Sequence, residues 1–317
     1  MTARNNLFKY FINTDKRLNL KDTLFSGQTF SWTKRDFATG YHLNIIGDRI
    51  ILLSDFYENY IEILSDNKKI NGLRISDFLY RYFSLDIEEK TIFSSRFQPD
   101  FPEVWRLIEP YLSVRVMRQD PFEVMVTFMC AQGIGMHLIR RQVSMITERY
   151  GEKYVLDTEN GPLVLHGFPA PSSLASANPN ELALCTNNNR IRAANIIAMA
   201  RSFESGKLGL VCAESGNCSL ETIREALCAH SGIGLKIADC IALFGLGRFD
   251  AFPIDTHVKQ YLWEWFGIEA ARKSLTEKNY RFLQDEARKI LGNEFAGYAG
   301  HILFHCWRKE VKKMKAF

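Results

Sequence analysis

Lys236 stands where a cation is electrostatically misplaced. It follows the glycine-rich segment SGIGL at 231–235 and opens an apolar segment whose pattern predicts a helix. A helix N-terminus has a partial positive charge, which disfavours an ammonium group there. A lysine that acts as a nucleophile must be deprotonated, and free lysine needs a pKa lowered by about two to three units for this at neutral pH. Burial and a helix N-terminus both act in that direction, so Lys236 is a candidate nucleophile.

Two further groups could share a pocket with this amine. Cys240 follows at i+4, so a helix would place its thiol on the same face as Lys236. Asp255 directly precedes the helical segment THVKQYLWEWFG, where its carboxylate is a good N-cap. A capping carboxylate can also be catalytic if it faces the pocket that contains the amine. The alternatives are a solvated lysine that contacts phosphate and an aspartate that only caps. His257 is expected to pack or to orient its neighbours rather than to act as a base.

Gly232 and Gly234 allow a sharp turn between two helices, and the pattern predicts a helix-hairpin-helix over about 221–246. Backbone N–H groups at the start of the second helix suit a phosphate of DNA or RNA. The alternative is a glycine-ended helix followed by an ordinary loop.

The elements that must position these residues differ between the two parts of the chain. The runs YHLNII and RIILLS flank Gly47-Asp48, which is a hairpin signature, and the segment ISDFLYRYFSLD predicts a short helix. From Phe101 onward the apolar spacing is helical almost throughout, with Pro121 in a first turn and Ser219 as an N-cap. We therefore predict an α+β fold, with an antiparallel sheet domain and short helices at 1–100 and a helical core at 101–317.

Composition sets broad limits. The 317 residues are 46% hydrophobic and 13% aromatic, which is enough for a substantial core. A net charge of +4 permits a polyanionic partner without requiring one. Seven cysteines without a C-x-x-C pair indicate reduced thiols and predict neither a metal site nor a redox site. The sequence shows no apolar run of about 18 residues and no secretory signal, so we expect an intracellular protein without a membrane partner.

Two distant motifs together resemble a known family. The segment GIGLKIADCIALF, followed by FPIDTHV, is similar to the lysine-bearing branch of the helix-hairpin-helix DNA glycosylase superfamily. The segment SGQTFSW at 26–32 resembles an N-terminal motif of the 8-oxoguanine DNA glycosylase/lyase family. The resemblance implies a twisted N-terminal sheet packed on a two-lobed helical core of the superfamily type, with the active site in the cleft between the lobes. It also implies a monomeric enzyme without cofactor that excises 8-oxoguanine from duplex DNA and cleaves the strand. Its location would be the cytoplasm or nucleoid of a prokaryote, or the nucleus of a eukaryote.

The resemblance also assigns roles to residues. Lys236 would attack C1′ of a flipped nucleotide and form a Schiff base that leads to β-elimination, while Asp255 would stabilise positive charge on the sugar. The backbone carbonyl of Gly27 would recognise the N7 hydrogen that oxidised guanine has and guanine lacks. Cys240 would stack on the base and Pro253 would help to wall the pocket. Base flipping costs a few kcal/mol, so such stacking surfaces are needed.

The second stacking partner in this family is an aromatic residue near the C-terminus. An ungapped match from the segment YAG at 298–300 places Trp307 there, whereas Phe304 fits only with a shifted register. We favour Trp307, with core packing as the alternative role. The same match places Leu303 where the family has a glutamine that bonds the base edge, so this contact is in doubt.

The segment after FMC departs from the family. Gly133 replaces an asparagine and Leu138 replaces an arginine among the residues that recognise the opposite cytosine, while Arg190 matches a third. Discrimination for cytosine should be weaker unless another side chain substitutes, and the candidates are Gln132, His137 and Arg140. The residues expected to contact DNA are Gly232, Gly234, Arg190, Gln132 and His257.

Two rival functions remain open. A monofunctional alkylated-base glycosylase shares the fold and the aspartate, but such enzymes usually lack the hairpin lysine. A non-catalytic DNA-binding protein could use the hairpin as a phosphate clamp, but it would leave SGQTFSW unexplained. An iron-sulfur cluster held by four cysteines after the aspartate is excluded by counting, because only Cys306 lies beyond Asp255.

Overall fold

The computed structural model describes residues 7–34, 40–158, 161–208 and 218–314. The strands are β1 (Phe8–Asn13), β2 (Thr33–Lys34), β3 (His42–Ile46), β4 (Arg49–Tyr57), β5 (Tyr60–Ser65), β6 (Lys69–Ile70), β7 (Leu73–Arg74), β8 (Lys153–Thr158) and β9 (Gly161–His166). The α-helices are α1 (Leu20–Leu24), α2 (Ile75–Tyr82), α3 (Glu89–Ile92), α4 (Phe97–Asp100), α5 (Pro102–Ile108), α6 (Pro121–Cys130), α7 (Met136–Tyr150), α8 (Pro171–Ala175), α9 (Pro179–Cys185), α10 (Arg190–Glu204), α11 (Leu220–Cys228), α12 (Leu235–Phe244), α13 (Thr256–Glu264), α14 (Glu277–Leu291) and α15 (Ala296–Cys306). Short 3₁₀ helices span Glu109–Tyr111 and Glu269–Arg272, and a π-helix spans Trp307–Val311.

The chain divides into two compact units, each made of segments that are distant in sequence. The first unit contains the described residues within Met1–Lys16, Thr29–Tyr82 and Met129–Leu208. The second contains those within Arg17–Gln28, Phe83–Phe128 and Gly209–Phe317. The domain boundary predicted at residue 100 stays a prediction, since a compact unit need not be continuous in sequence.

The first unit contains a five-stranded antiparallel sheet with the strand order β1-β5-β4-β3-β2. Gly47 and Asp48 join β3 to β4, as the sequence predicted, and Gly47 adopts a φ of 59° that glycine tolerates best. Helix α2 follows at Ile75–Tyr82, in agreement with the predicted short helix.

A second hairpin, β8–β9, interrupts the region predicted to be helical. Its Leu156 and Leu165 are buried in the same cluster as Leu43 and Leu52 of the main sheet. The hairpin therefore belongs to the sheet core of the first unit. Helices α8 and α9 pack against α10 in this unit.

The second unit is built around two apolar helices, α12 and α15, in which most residues are buried. Helix α15 approaches the segment before Asp255 very closely. A Cβ added to Gly297 would lie 1.8 Å from the carbonyl oxygen of Ala251, and one added to Gly300 would lie 2.3 Å from the ring of Phe252. The two glycines are thus required for the position of the 249–255 segment.

The α+β class predicted from the sequence is confirmed. The expectation that all cysteines are reduced is wrong for Cys218, which is disulfide-bonded. The free cysteines among the described residues are Cys130, Cys185, Cys228, Cys240 and Cys306. Within the four described ranges, none of the helices is both long and apolar enough for a membrane span.

Candidate active site

The predicted helix-hairpin-helix is present as α11 and α12. Ser219 caps α11 by accepting a hydrogen bond from the Thr222 amide at 3.0 Å. Gly232 adopts a φ of 86°, so the turn uses the conformational freedom of glycine. Gly234 is the N-cap of α12, and its carbonyl accepts from Ala238 at 2.9 Å. A Cβ at Gly234 would meet no described atom within 4 Å, so the start of α12 is open to a ligand.

Lys236 is the second residue of α12, and its side chain lies along an aromatic surface. Its Nζ is 5.4 Å from the centroid of the Phe128 ring, which is a cation–π contact. Phe128 in turn stacks on Phe244 with 5.5 Å between ring centroids. Lys236 is partly exposed, and its amine has an aromatic ring on one side.

The Cys240 thiol is buried and interacts electrostatically with both candidate catalytic groups, Lys236 and Asp255. Burial raises the pKa of Cys240 to about 12, the charge and a hydrogen bond of Lys236 oppose this rise, and the charge of Asp255 reinforces it. The thiol is therefore protonated at neutral pH. These interactions also show that Lys236 and Asp255 are both near Cys240.

Asp255 is the N-cap of α13, as predicted, and accepts a hydrogen bond from the Val258 amide at 2.9 Å. The residue is partly exposed, as is Pro253 two positions earlier. One carboxylate oxygen makes the capping bond, and the group has further acceptor capacity. The capping role is confirmed, and a catalytic role is compatible with it.

His257, two residues after Asp255, packs against Phe304. Their rings meet edge to face with 5.9 Å between centroids. Burial lowers the pKa of His257, with the charge of Asp255 opposing and the charges of Arg308 and Lys312 reinforcing the shift. Burial thus favours the neutral form of His257. Arg308 lies over the Phe304 ring at 5.4 Å.

The burial of Trp307 argues against the preference for it as the stacking residue. Its indole is 0% exposed and packs against Tyr261 and Trp265, so neither ring face is free to receive a base. Phe304 is partly exposed and is the better candidate. Leu303 is fully buried, which is consistent with the doubt about a base contact at this position.

Gly27 lies in a loop that is held from both sides. Its φ is 95°, and it is partly exposed between the buried Ser26 and Gln28. The Gln28 amide nitrogen donates to the carbonyl of Arg115 at 2.7 Å, and its oxygen accepts from the Met117 amide at 2.7 Å. The motif residues on either side of Gly27 therefore fix the loop.

The other flank of this loop contacts α15. Ser26 Oγ is 2.8 Å from the Nε2 of His301, and burial lowers the pKa of this histidine to about 3. The neutral His301 ring also stacks near Phe304 and meets Phe244 edge to face. The sequence did not identify His301 or Phe128 as site residues, because only their tertiary contacts place them there.

A continuous series of ring contacts connects the candidate residues of the second unit. It runs through Phe128, Phe244, His301, Phe304 and His257. The first ring contacts Lys236, the third contacts the loop of Gly27 through Ser26, and the last is adjacent to Asp255. The structure thus brings together the residues that the sequence assigned to catalysis and base recognition.

The predicted DNA-contacting residues Arg190 and Gln132 belong to the first unit. Arg190 is exposed as the first residue of α10, whose N-cap is Asn189. The buried Arg192 donates to the carbonyl of Gln132 at 2.8 Å, which ties the exposed loop of Gln132 to α10. Sequence reasoning did not single out Arg192, because its role depends on this tertiary contact.

Arg140, His137 and Gln132 could replace the missing contacts to the opposite cytosine, but they differ in exposure and in hydrogen bonding. Arg140 donates to the carbonyl of Trp32 at 2.6 Å, and burial lowers its pKa. His137 and Gln132 are exposed. Arg140 is therefore engaged in the first unit, and the exposed side chains are the better candidates.

In the described part of the chain, no group of three His, Cys, Asp or Glu side chains is arranged to hold a metal ion. The candidate site itself presents an amine, a carboxylate, a thiol and a set of aromatic rings.

Comparison with known proteins gives a consistent result. A family model described as the N-terminal domain of 8-oxoguanine DNA glycosylase matches residues 10–125. An N-glycosylase/DNA lyase of Saccharomyces cerevisiae is 25% identical over 93% of this chain and 84% of its own length. N-glycosylase/DNA lyase OGG1 of Arabidopsis thaliana is 28% identical over 92% of this chain and 78% of its own length.

A solved structure shows the same fold. It is the Clostridium acetobutylicum 8-oxoguanine glycosylase/lyase in complex with double-stranded DNA that contains cytosine opposite 8-oxoguanine. The TM-score is 0.77 at 21% identity, and the match covers 99% of this chain and 100% of that chain.

Proposed function

This chain belongs to the 8-oxoguanine DNA glycosylase family of the helix-hairpin-helix superfamily, and from that premise we propose that it excises 8-oxoguanine from duplex DNA and then cleaves the strand. The observation that supports this most is the position of Lys236 on the second hairpin helix, near a buried thiol and a carboxylate. A monofunctional enzyme that activates water would have no use for an amine there.

Lys236 Nζ acts as the nucleophile. Its deprotonated amine attacks C1′, the C1′–N9 bond breaks with its electron pair leaving on the base, and the base takes up a proton. Loss of the ammonium proton and cleavage of the C1′–O4′ bond, with O4′ taking up a proton, convert this intermediate into a Schiff base. The Schiff base makes the C2′ proton acidic, and removal of that proton expels the 3′-phosphate by β-elimination. Asp255 stabilises the positive charge that develops on the sugar and assists the proton transfers.

The flipped base lies between side chains of the second unit. The Gly27 carbonyl accepts the N7 hydrogen of the oxidised base. Cys240 covers one face as a neutral thiol, Phe304 covers the other, and Pro253 walls the pocket. The rigid ties of Ser26 and Gln28 support this role for Gly27, because a hydrogen bond that distinguishes two bases needs a fixed acceptor.

The duplex is bound through its backbone and through the opposite base. The start of α12 at Gly232 and Gly234 binds a phosphate, and His257 contributes to the DNA-binding surface. Arg190 and Gln132 contact the orphaned base from the first unit. The enzyme acts as a monomer without a cofactor, and it works where the chromosome is, in the nucleoid of a prokaryote or the nucleus of a eukaryote.

The test is single-turnover excision with borohydride trapping. Wild-type protein releases 8-oxoguanine from a duplex and forms a trapped covalent adduct. Lys236→Gln should bind the same duplex but form no adduct and lose at least about 10³-fold in excision rate, since removal of a covalent nucleophile removes the pathway. The matched control is Lys278→Gln, because Lys278 is the second residue of α14 and is exposed.

Each rival predicts a different result. A non-catalytic DNA-binding protein shows no excision by wild type and only a modest loss of affinity in Lys236→Gln. A monofunctional glycosylase releases an alkylated base without a trapped adduct. An adduct at the wild-type level in Lys236→Gln would refute the assignment of the lysine.

A further inference from the structure

Asp239 is a completely buried carboxylate on α12, the helix that also contains Lys236 and Cys240. It accepts hydrogen bonds from Arg224 Nε at 2.8 Å, Tyr280 Oη at 2.6 Å and Gln284 Nε2 at 2.6 Å. Burial raises the pKa of Asp239, and the charge and hydrogen bond of Arg224 oppose this. Each of its partners is itself buried. A buried ion pair adds little stability compared with apolar packing, so its presence suggests a need for defined geometry.

Two of these partners also hold the segment that leads to Asp255. The Tyr280 hydroxyl accepts a hydrogen bond from the Ile254 amide at 3.2 Å. The amide nitrogen of Gln284 donates to the Phe252 carbonyl at 2.7 Å as well as to Asp239. Asp239 on α12 is thus connected to the backbone on both sides of Pro253. Tyr280 links it to the residue after Pro253, and Gln284 links it to the residue before.

The remaining donor ties the same group to the first hairpin helix. Arg224 lies on α11, and besides Asp239 it donates to Gln284 Oε1 at 2.8 Å and contacts Glu221 at 3.3 Å. Glu221 also receives two hydrogen bonds from Arg281 of α14, at 2.6 and 2.8 Å. The network therefore joins α11, α12 and α14 and the segment before α13.

We infer that Asp239 is a positioning residue that sets the Asp255 carboxylate relative to the Lys236 amine. This inference rests on the proposed function. The distance between the two groups is determined by the position of α12, which carries Lys236 near its start, and by the position of the 252–255 segment. Asp239 is part of α12 and is bonded to the two side chains that hold that segment. A displacement of about 1 Å at a reacting centre can cost on the order of 10²-fold in rate. Asp239 itself does not touch the substrate.

The first test is Asp239→Asn, which keeps the shape of the side chain. The amide cannot accept all three donors, because its nitrogen is itself a donor. We expect single-turnover excision of 8-oxoguanine to fall about 30- to 100-fold. The dissociation constant for a duplex with a tetrahydrofuran abasic analogue should change by less than about threefold, since the DNA-binding groups are unaltered.

A matched control separates positioning from general loss of stability. Glu62 of the first unit is also buried, accepts from Tyr41 at 2.6 Å and pairs with Lys9 at 2.9 Å. Glu62→Gln makes the same chemical change and should lower Tm without a comparable loss of excision rate. If the two variants lose excision rate equally for equal losses in Tm, Asp239 has a structural role only.

A second variant covers the case in which Asp239→Asn does not fold. Tyr280→Phe keeps the Arg224–Asp239 ion pair but removes the bond to Ile254, and it should slow excision about tenfold. In the double variant the losses should not add, since both residues act through one network. Wild-type rates in the folded variants would overturn the inference.

Hydrogen exchange gives a readout that does not depend on activity. The amide of Ile254 should exchange faster in Tyr280→Phe and in Asp239→Asn, and should be unchanged in Glu62→Gln. Unchanged exchange at 252–255 in both network variants would overturn the inference even if the enzyme has another substrate. If wild type does not excise 8-oxoguanine, the proposed function fails, whereas an active wild type with unaffected variants refutes the positioning role alone.

Discussion

Cys240 and Lys236 are the two side chains of the site that could act as the nucleophile. Cys240 has the more nucleophilic atom type, but burial keeps its thiol protonated with a pKa of about 12. Lys236 is partly exposed, and its amine lies beside the Phe128 ring. The amine is therefore the reactive group, and the thiol is a compact apolar surface against which a base can pack.

Phe304 and Trp307 can be separated by mutation. Phe304→Ala should slow excision about 10- to 100-fold, since stacking of one base on an aromatic ring contributes about 1–3 kcal/mol. Its effect on Tm should be small because the ring is partly exposed. Trp307→Phe should instead lower stability by about 1–3 kcal/mol, because the fully buried indole leaves a cavity.

Excision rates and Tm values of both variants decide the question. The contrary outcome is a selective loss of excision in Trp307→Phe with a normal rate in Phe304→Ala. That result would restore the ungapped register and would mean that the indole becomes accessible when DNA binds.

At the scale of elements, the signals with a local cause were predictable. The Gly47-Asp48 turn and the caps at Ser219 and Asp255 depend on a few neighbouring residues, and the structure has them where the sequence predicted them. The hairpin glycines also fall between two helices as expected. The buried network of Asp239 was not predictable, because its partners lie 15 to 45 residues away in the chain.

The β8–β9 hairpin was missed although its signal is local. Asn160-Gly161 stands between the alternating runs YVLD and PLVLH, and this dipeptide is a strong hairpin signal. The apolar spacing is helical on both sides of this segment, and we therefore predicted helical structure across it as well. The choice between Trp307 and Phe304 stays a prediction of a different kind, since a sequence match gives a register but cannot show that the indole packs against Tyr261 and Trp265.

The loop of Gly27 provides a prediction at this scale. Gln28→Leu removes the bonds to Arg115 and Met117, leaving buried backbone groups unsatisfied at a cost of about 1–3 kcal/mol each. The loop should then hold Gly27 less firmly, so the preference for 8-oxoguanine over guanine should fall at least about tenfold. Single-turnover rates on both duplexes measure this preference.

Gln142→Leu is the matched control. Gln142 is 0% exposed on α7, and among the described residues its side-chain amide has no hydrogen-bond partner. Its replacement should leave the preference unchanged and should not lower stability, because no bond is lost. An equal loss of preference in the two variants would show that Gln28 has no specific role in the loop.

At the scale of the whole molecule, the proposed tasks are divided between the two units. The candidate catalytic and base-recognition residues all belong to the second unit, whereas Arg190 and Gln132 belong to the first. The family model ends at residue 125, before Lys236, so the N-terminal match and the lysine motif are independent indications. The net charge of only +4 means that DNA affinity depends on local groups rather than on the overall field.

The loop of Gly133 predicts a relaxed choice of opposite base. Gly133 has no side chain to bond cytosine, and Leu138 cannot do so. We expect 8-oxoguanine to be excised opposite cytosine less than about tenfold faster than opposite adenine, since one lost bidentate contact removes about 1–3 kcal/mol of discrimination. A panel with each of the four opposite bases measures this ratio, and a preference above about 100-fold would contradict the prediction.

Restoring an amide at this position tests the cause. Gly133 has a φ of 69°, which asparagine tolerates, and a Cβ there would meet no described atom within 4 Å. Gly133→Asn should therefore fold and raise the preference for cytosine several-fold. Gly206→Asn is the control, because Gly206 has a φ of 68° and equally open surroundings in the same unit. An equal rise in both variants, or no rise in Gly133→Asn, would mean that opposite-base recognition in this protein depends on other side chains, with the exposed Arg190 as the first to examine.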